Sequence, residues 1–166
     1  MDPDRDLARR AAAGDEMAFA ALYERFAPRV LATAARVLGD AHRAADVVQE
    51  AFVKIHAALP SFAGDASLAL WIHKIAVHEA LNAVRTDRRR RARETRVKPA
   101  SQAPADESQA LFDRLSPPLR AVAVLRYTHD FSYDEIADAL DLPTGTVRSR
   151  LYQAHQILRG LDAPDR

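Results

Sequence analysis

Three features of this 166-residue chain predict an all-α fold: two small helical domains joined by a flexible linker, the second with a helix-turn-helix. Apolar residues recur three and four apart in Ala-rich segments, with no run of period two, and there are only five glycines. From Pro99 to Ser108 the periodicity stops in a stretch of Pro, Ala, Ser, Gln, Asp and Glu, the composition of a linker. Domains over residues 1–95 and 109–166 follow, with residues 96–108 between them. A hydrophobic content of 48% permits a core in each.

In the first domain Phe19, Leu22, Tyr23, Phe26 and Val30 form one helical stripe after Gly14-Asp15, and Pro28 is expected to mark a bend or a fresh helix start. Leu31, Ala34 and Leu38 continue the stripe until Gly39 stops the helix. Asp40 opens the next helix, with Ala44, Ala45, Val48, Ala51, Phe52 and Ile55 inward and an end before Pro60. Its other face carries Asp46, Gln49, Glu50 and Lys54 at i, i+3, i+4 and i+8, which solvation alone would explain. Phe62 follows beside Gly64 in an irregular loop. A further helix begins near Ser67 and runs through Leu68, Trp71, Ile72, Ile75, Ala76 and Leu81, offering His73, Lys74, His78 and Asn82 as its polar face.

The net charge of +1 conceals an uneven distribution. Residues 1–84 hold nine Lys/Arg against eleven Asp/Glu, residues 85–98 eight against two, and residues 99–166 seven against ten. The basic run at Arg85, Arg88 to Arg91, Arg93, Arg96 and Lys98 suits phosphates, because each one neutralised releases counterions. A solvated helix end entering the linker is the alternative.

The second domain opens with Ser116 as a helix cap, Pro117 in the first turn, and Leu119, Val122, Leu125 and Tyr127 on the inward face. Ser132 and Glu135 stand at the spacing of a capping box, and Ile136, Ala137 and Leu140 form the apolar face of the helix they start. The chain then turns near Asp141-Leu142-Pro143. Thr144 is the expected cap of a second helix, whose inward stripe is Val147, Leu151, Ala154 and Leu158. Its outward stripe is Arg148, Ser149, Tyr152, Gln153 and Gln156, side chains that reach base edges in a major groove, with Arg150 placed for a phosphate. No acid lies between Asp141 and Asp162.

Other classes find little support. With no cysteine there is neither a disulfide framework nor a thiolate metal site. The charged start from Met1 to Asp6 is followed by no long apolar run, so neither a signal peptide nor a membrane span is expected, and the cytoplasm is the expected location. His78-Glu79-Ala80-Leu81-Asn82 begins like a zinc-protease helix but lacks the second histidine. Without a glycine-rich phosphate loop or nucleophile elbow, no catalytic residue, metal or cofactor is assigned.

Asp46-Val47-Val48-Gln49-Glu50-Ala51-Phe52, Phe62-Ala63-Gly64-Asp65, Trp71-Ile72-His73-Lys74-Ile75-Ala76, Leu115-Ser116-Pro117-Pro118 with Leu125-Arg126-Tyr127, and the hairpin from Ser132 to Leu158 occur in an order that resembles bacterial RNA polymerase sigma factors of the extracytoplasmic function group. The resemblance spans nearly the whole chain. It implies an alternative sigma factor, without catalysis of its own, that joins core RNA polymerase at its clamp coiled coil and flap, directs it to a specific regulon, and assists promoter melting. Asp46, Gln49, Glu50 and Lys54 would then bind polymerase. Phe62, Gly64, Asp65, Ala66, Ser67, His78 and Asn82 would hold the −10 element, and Thr146, Arg148, Ser149, Arg150, Tyr152 and Gln153 would read the −35 element. Trp71 would be core support, and Phe62 a pocket wall or a brace for its loop. An anti-sigma factor is the further partner implied. Ala63 stands where arginine is common in the family, Leu70 where threonine is, and His78 where asparagine is, which leaves the −10 base preference open. A free-standing DNA-binding regulator, with a dimerisation surface and a palindromic site, and a module that sequesters another factor are the two other readings.

Overall fold

Asp2 caps the first helix, its carboxylate accepting from the Asp4 amide at 3.0 Å, with Pro3 in the first position where a missing N–H costs nothing. The computed structural model of the protein describes residues 2–93 and 107–160. Among these, helices α1 (Pro3–Ala12), α2 (Glu16–Leu38), α3 (Ala41–Ala58) and α4 (Leu68–Arg93) lie in the first stretch, and α5 (Glu107–Asp113), α6 (Pro117–His129), α7 (Tyr133–Leu140) and α8 (Thr144–Arg159) in the second. A single 3-10 turn over Leu59–Ser61 leads out of α3.

Two of these helices are additions to the sequence reading. The Asp2-Pro3 pair signals α1, and α5 takes the last two residues of the expected linker, Glu107 and Ser108; residues 96–106 lie outside the described residues. Pro28 starts no new helix, since α2 runs through it from the Asp15 cap to Gly39. Proline removes one backbone donor, and burial of Leu22, Phe26, Val30, Ala34 and Val37 on one face holds the helix together around it. Ala45 is exposed and Val47 buried, a rotation of the α3 stripe toward α2 and α4. The arginine run through Arg93 is helical, the last turns of α4.

The Ser132 capping box forms as its spacing predicts, with Ser132 Oγ accepting from the Glu135 amide at 3.2 Å and Glu135 Oε2 from the Ser132 amide at 2.8 Å. After α7 the chain turns through Asp141 in the left-handed region (φ 51°), and the Leu142 amide returns to Ala137 O at 2.9 Å. Thr144 is the first residue of α8 rather than its cap, because Pro143 holds the cap position and the Thr144 hydroxyl donates to Asp134 Oδ1 at 2.9 Å. Tyr127 faces out, 54% exposed, while five consecutive residues from Ala121 to Leu125 are buried. An inward stripe would bury only part of such a run. The other faces of α6 are covered as well, because the two halves of the molecule pack on each other.

That packing is apolar and extensive. Leu70 and Val77 of α4 enter the core formed by Val122, Leu125, Phe131, Ile136, Leu140 and Val147, while Phe112, Leu115, Ala123 and Val124 join the core of α1 to α4. At about 1.5–3 kcal/mol for each large apolar side chain taken fully out of water, these contacts outweigh the polar ones beside them. Arg120, 9% exposed, reaches from α6 to the end of α2, donating to Val37 O at 3.3 Å and to Leu115 O at 3.0 Å.

Candidate promoter and polymerase interfaces

Three surfaces carry the residues singled out in the sequence. On α3, Asp46, Gln49 and Glu50 are exposed together, as their spacing requires. Lys54, one turn on, bends away from them: its ammonium donates to Glu79 Oε1 of α4 at 2.6 Å, and Glu79 is 8% exposed. Lys54 therefore ties α3 to α4 while its side chain stays 56% exposed beside the acidic residues. Arg43 makes the same kind of tie one end further along, to the buried Asp87. An apolar groove lined by Tyr23, Ala27, Pro28, Leu31 and Val48 runs beside Gln49.

The second surface is the loop before α4 and the face of α4 itself. Phe62 is half-buried and lies against Trp71, ring centroids 5.1 Å apart, so it braces the loop. Gly64 takes φ +80°, and its carbonyl accepts from Arg5 Nη2 of α1 at 2.6 Å. This tie was not found in the sequence, since it joins residues 59 apart. Asp65 and Ser67 are exposed, and Ser67 Oγ accepts from the Leu70 amide at 3.1 Å, capping α4. Asn82 is exposed and accepts from Arg85 at 3.2 Å. His78 is not open in the same way: its Nε2 stands 3.2 Å from Asp141 Oδ2 at the end of α7.

Lys74, one turn before His78, donates to Asp138 O at 2.8 Å and Asp141 Oδ1 at 3.0 Å. Partial burial disfavours its charge, but the two aspartates outweigh this and raise its pKa. His73 is not on the polar face where the sequence reading put it; it is 1% exposed, and burial lowers its pKa. Only the second half of the molecule, folded against α4, makes this position interior.

The third surface is α8. Arg148, Ser149, Tyr152 and Gln153 are exposed on one face, Tyr152 to 66%, while Val147, Leu151 and Ala154 are buried and Leu158 half-buried. Thr146 and Arg150 flank this face, both half-buried, and the Ser149 hydroxyl donates back to Thr146 O at 3.0 Å. The Arg148 guanidinium lies 6.0 Å from the centre of the Tyr133 ring, which steadies it without consuming its donors. Arg150, Arg85, Arg88 and His78 line a cleft of about 220 Å³ between α4 and the second half, floored by Leu81 and Leu142. The arginine run and the flank of α8 thus meet at one place.

No group of three or more His, Asp or Glu side chains able to hold a metal occurs among the described residues, and no helix there is long and apolar enough to cross a membrane.

Comparison with known proteins fits this layout. Residues 22–90 match the family model for sigma-70 region 2, and residues 106–158 match that for sigma-70 region 4. The chain is 33% identical to the ECF RNA polymerase sigma-E factor of Escherichia coli K12 over 93% of its own length and 92% of that protein's. It is 31% identical to the RNA polymerase sigma-H factor of Pseudomonas aeruginosa over 95% of its length and 92% of that protein's. Among solved structures it resembles CnrH in complex with the cytosolic domain of CnrY, with a TM-score of 0.71 and 29% identity over 96% of this chain and 97% of that one. The fold is also that of the sigma factor RpoE solved with the anti-sigma factor NepR from Bartonella quintana, with a TM-score of 0.73 and 24% identity over 89% of this chain and 98% of that one. With both regions present in order and both curated relatives matched nearly end to end, the chain belongs to the extracytoplasmic function group of the sigma-70 family of transcription initiation factors.

Proposed function

We propose that the three surfaces divide the work of a sigma factor: the α3 face binds core RNA polymerase, the loop before α4 with the α4 face holds the −10 element during melting, and α8 reads the −35 element. The observation that carries this reading is the row Arg148, Ser149, Tyr152 and Gln153, exposed along one face of a helix that contains no acid, within the part of the chain matched by region 4. Such a helix can enter a major groove, where a bidentate arginine–guanine contact contributes about 1–3 kcal/mol of discrimination.

Asp46, Gln49 and Glu50 suit a basic partner, and charge complementarity there would set encounter rate and specificity. Polymerase is that partner in this reading, at its clamp coiled coil, with the second domain near its flap. Phe62, Gly64, Asp65, Ala66, Ser67, His78 and Asn82 form the −10 surface. Holding an extruded base takes a few kcal/mol of unstacking, and the Arg5 tie to Gly64 O and the Phe62–Trp71 contact keep the loop in shape for it. Domains of 1–95 and 109–166, an anti-sigma partner of the kind named with the two solved relatives, and action in the cytoplasm complete the proposal.

The test is run-off transcription from a panel of promoters with core polymerase, with and without the protein. Stimulation that depends on both −35 and −10 sequences is expected, with Glu50→Arg weakening polymerase binding on every promoter. Failure to stimulate on every promoter of the panel would sink the reading.

A further inference from the structure

The two halves of the molecule meet around a pair of imidazoles, His73 buried and His129 half-buried. His73 of α4 and His129 at the end of α6 lie with ring centroids 4.1 Å apart, and the Phe131 ring stands 5.8 Å from the first and 5.7 Å from the second. Thr33 of α2 completes the cluster: its Oγ1 is 2.6 Å from His129 Nε2 and 3.0 Å from Arg29 O. These contacts assign the protons. A threonine hydroxyl has one hydrogen, which it donates to Arg29 O, so His129 Nε2–H is the donor to Thr33. His73 Nδ1 is 2.7 Å from Ala69 O and must donate to it, which leaves His73 Nε2 bare; it finds no hydrogen-bond partner among the described residues. In its neutral form each ring therefore keeps one nitrogen free to take a proton.

We propose that the His73–His129 contact is a proton-responsive interlock between the domains: neutral rings hold them together, and protonation of either ring separates them. A new cation there would be at least half-buried, 4.1 Å from its neighbour's ring and among other positive charges. From α2 the charges acting on the pair are Arg29 and Arg36. On α4 the next residue is Lys74, already turned to Asp138 and Asp141 of α7. From α6 comes Arg126, which donates to Phe131 O and lies 3.7 Å from the exposed Asp130. The aspartates nearby are thus directed at Lys74, His78 and Arg126 rather than at the imidazoles.

Burial, His73 and the two arginines push His129 down to about 3, and burial lowers His73 as well. Separation exposes both rings to water and restores the ordinary value of 6.5. The open arrangement then binds more protons than the closed one, so the closed arrangement is favoured above pH 6.5 and loses ground as pH falls below it. One pH unit below that value, His129 shifts the balance toward opening by about tenfold, and His73 shifts it in the same direction. Since Lys74 and His78 are covered by α7 in the closed arrangement, opening also bares part of the proposed −10 surface. That consequence rests on the reading above, whereas the opening itself does not.

The chain contains no cysteine, so Met17→Cys and Gln156→Cys supply unique sites for a fluorescence donor and acceptor on the two halves of the full-length protein. Transfer efficiency is expected to fall between pH 7.5 and 5.5 while far-UV circular dichroism stays helical. His129→Gln and His129→Asn, each in the labelled background, should weaken the pH response by about tenfold in the open-to-closed ratio at pH 5.5. A flat titration of the parent overturns the proposal without either variant, and so does an unchanged response in whichever variant folds. Because no promoter enters this measurement, failure of the −10 assignment would leave it standing.

Discussion

Helices α4 and α8 carry the residues proposed to read the two promoter elements, and they are in opposite situations. On α8 the outward row is open to solvent, and its companions Tyr133 and Thr146 belong to the same domain. On α4 the other domain sits on the helix: Leu70 and Val77 are in its core, Lys74 and His78 meet the end of α7, and His73 is interior. A helix exposed by its own domain can find DNA in this arrangement. A helix whose polar face is half covered by its partner domain presents Asn82 and the preceding loop but not the whole of its face.

The sharpest way to break the contrast is Val77→Asp. Val77 is 0% exposed, and a carboxylate there has no partner, which costs the closed arrangement about 3–5 kcal/mol, as for other uncompensated buried charges. Small-angle X-ray scattering should report a larger radius of gyration with helix content retained; an unchanged radius in a folded variant would mean that the domains do not part at this seam.

Next in size is Arg148→Ala, expected to lose about 1–3 kcal/mol of discrimination at one base pair of the −35 element. Fluorescence anisotropy with duplexes altered one pair at a time reads it, and a uniform loss over all sequences would point to a phosphate contact instead. The smallest effect belongs to Lys74→Ala. Its partners Asp138 and Asp141 are mostly exposed, so the latch is worth less than about 1 kcal/mol in urea unfolding, a figure that would have to be raised if the loss were larger.

What could be read in advance follows the range of the forces involved. The Ser132–Glu135 box, the turn at Pro143 and the inward stripe of α8 are set by residues within four of one another, and all formed where expected, apart from the shift of the cap from Thr144 to Pro143. The exposed Asp46, Gln49 and Glu50 followed from helical period alone. So did the exposure of Lys54, but its tie to Glu79 did not, because the two are 25 residues apart. His73 and Tyr127 were misplaced for a related reason: a helical wheel cannot say that a second domain will cover one polar face and leave an aromatic outside. The Arg5 tie to Gly64 and the imidazole pair likewise join distant parts of the chain, and no local signal announces them.

The end of α2 bears on how interchangeable the halves of such a protein are. Gly39 stops the helix at φ +69°, and a Cβ placed on it would stand 2.9 Å from both Arg120 Nη1 and Asp113 Oδ1. Any side chain at position 39 would therefore be strained by its own backbone and crowd the buried arginine that bonds Val37 O. A chimera that joins the first half of a relative to the second half of this protein must keep glycine at position 39, because Arg120 and Asp113 leave no room there for a side chain and grafting at the linker ignores a steric agreement made far from it.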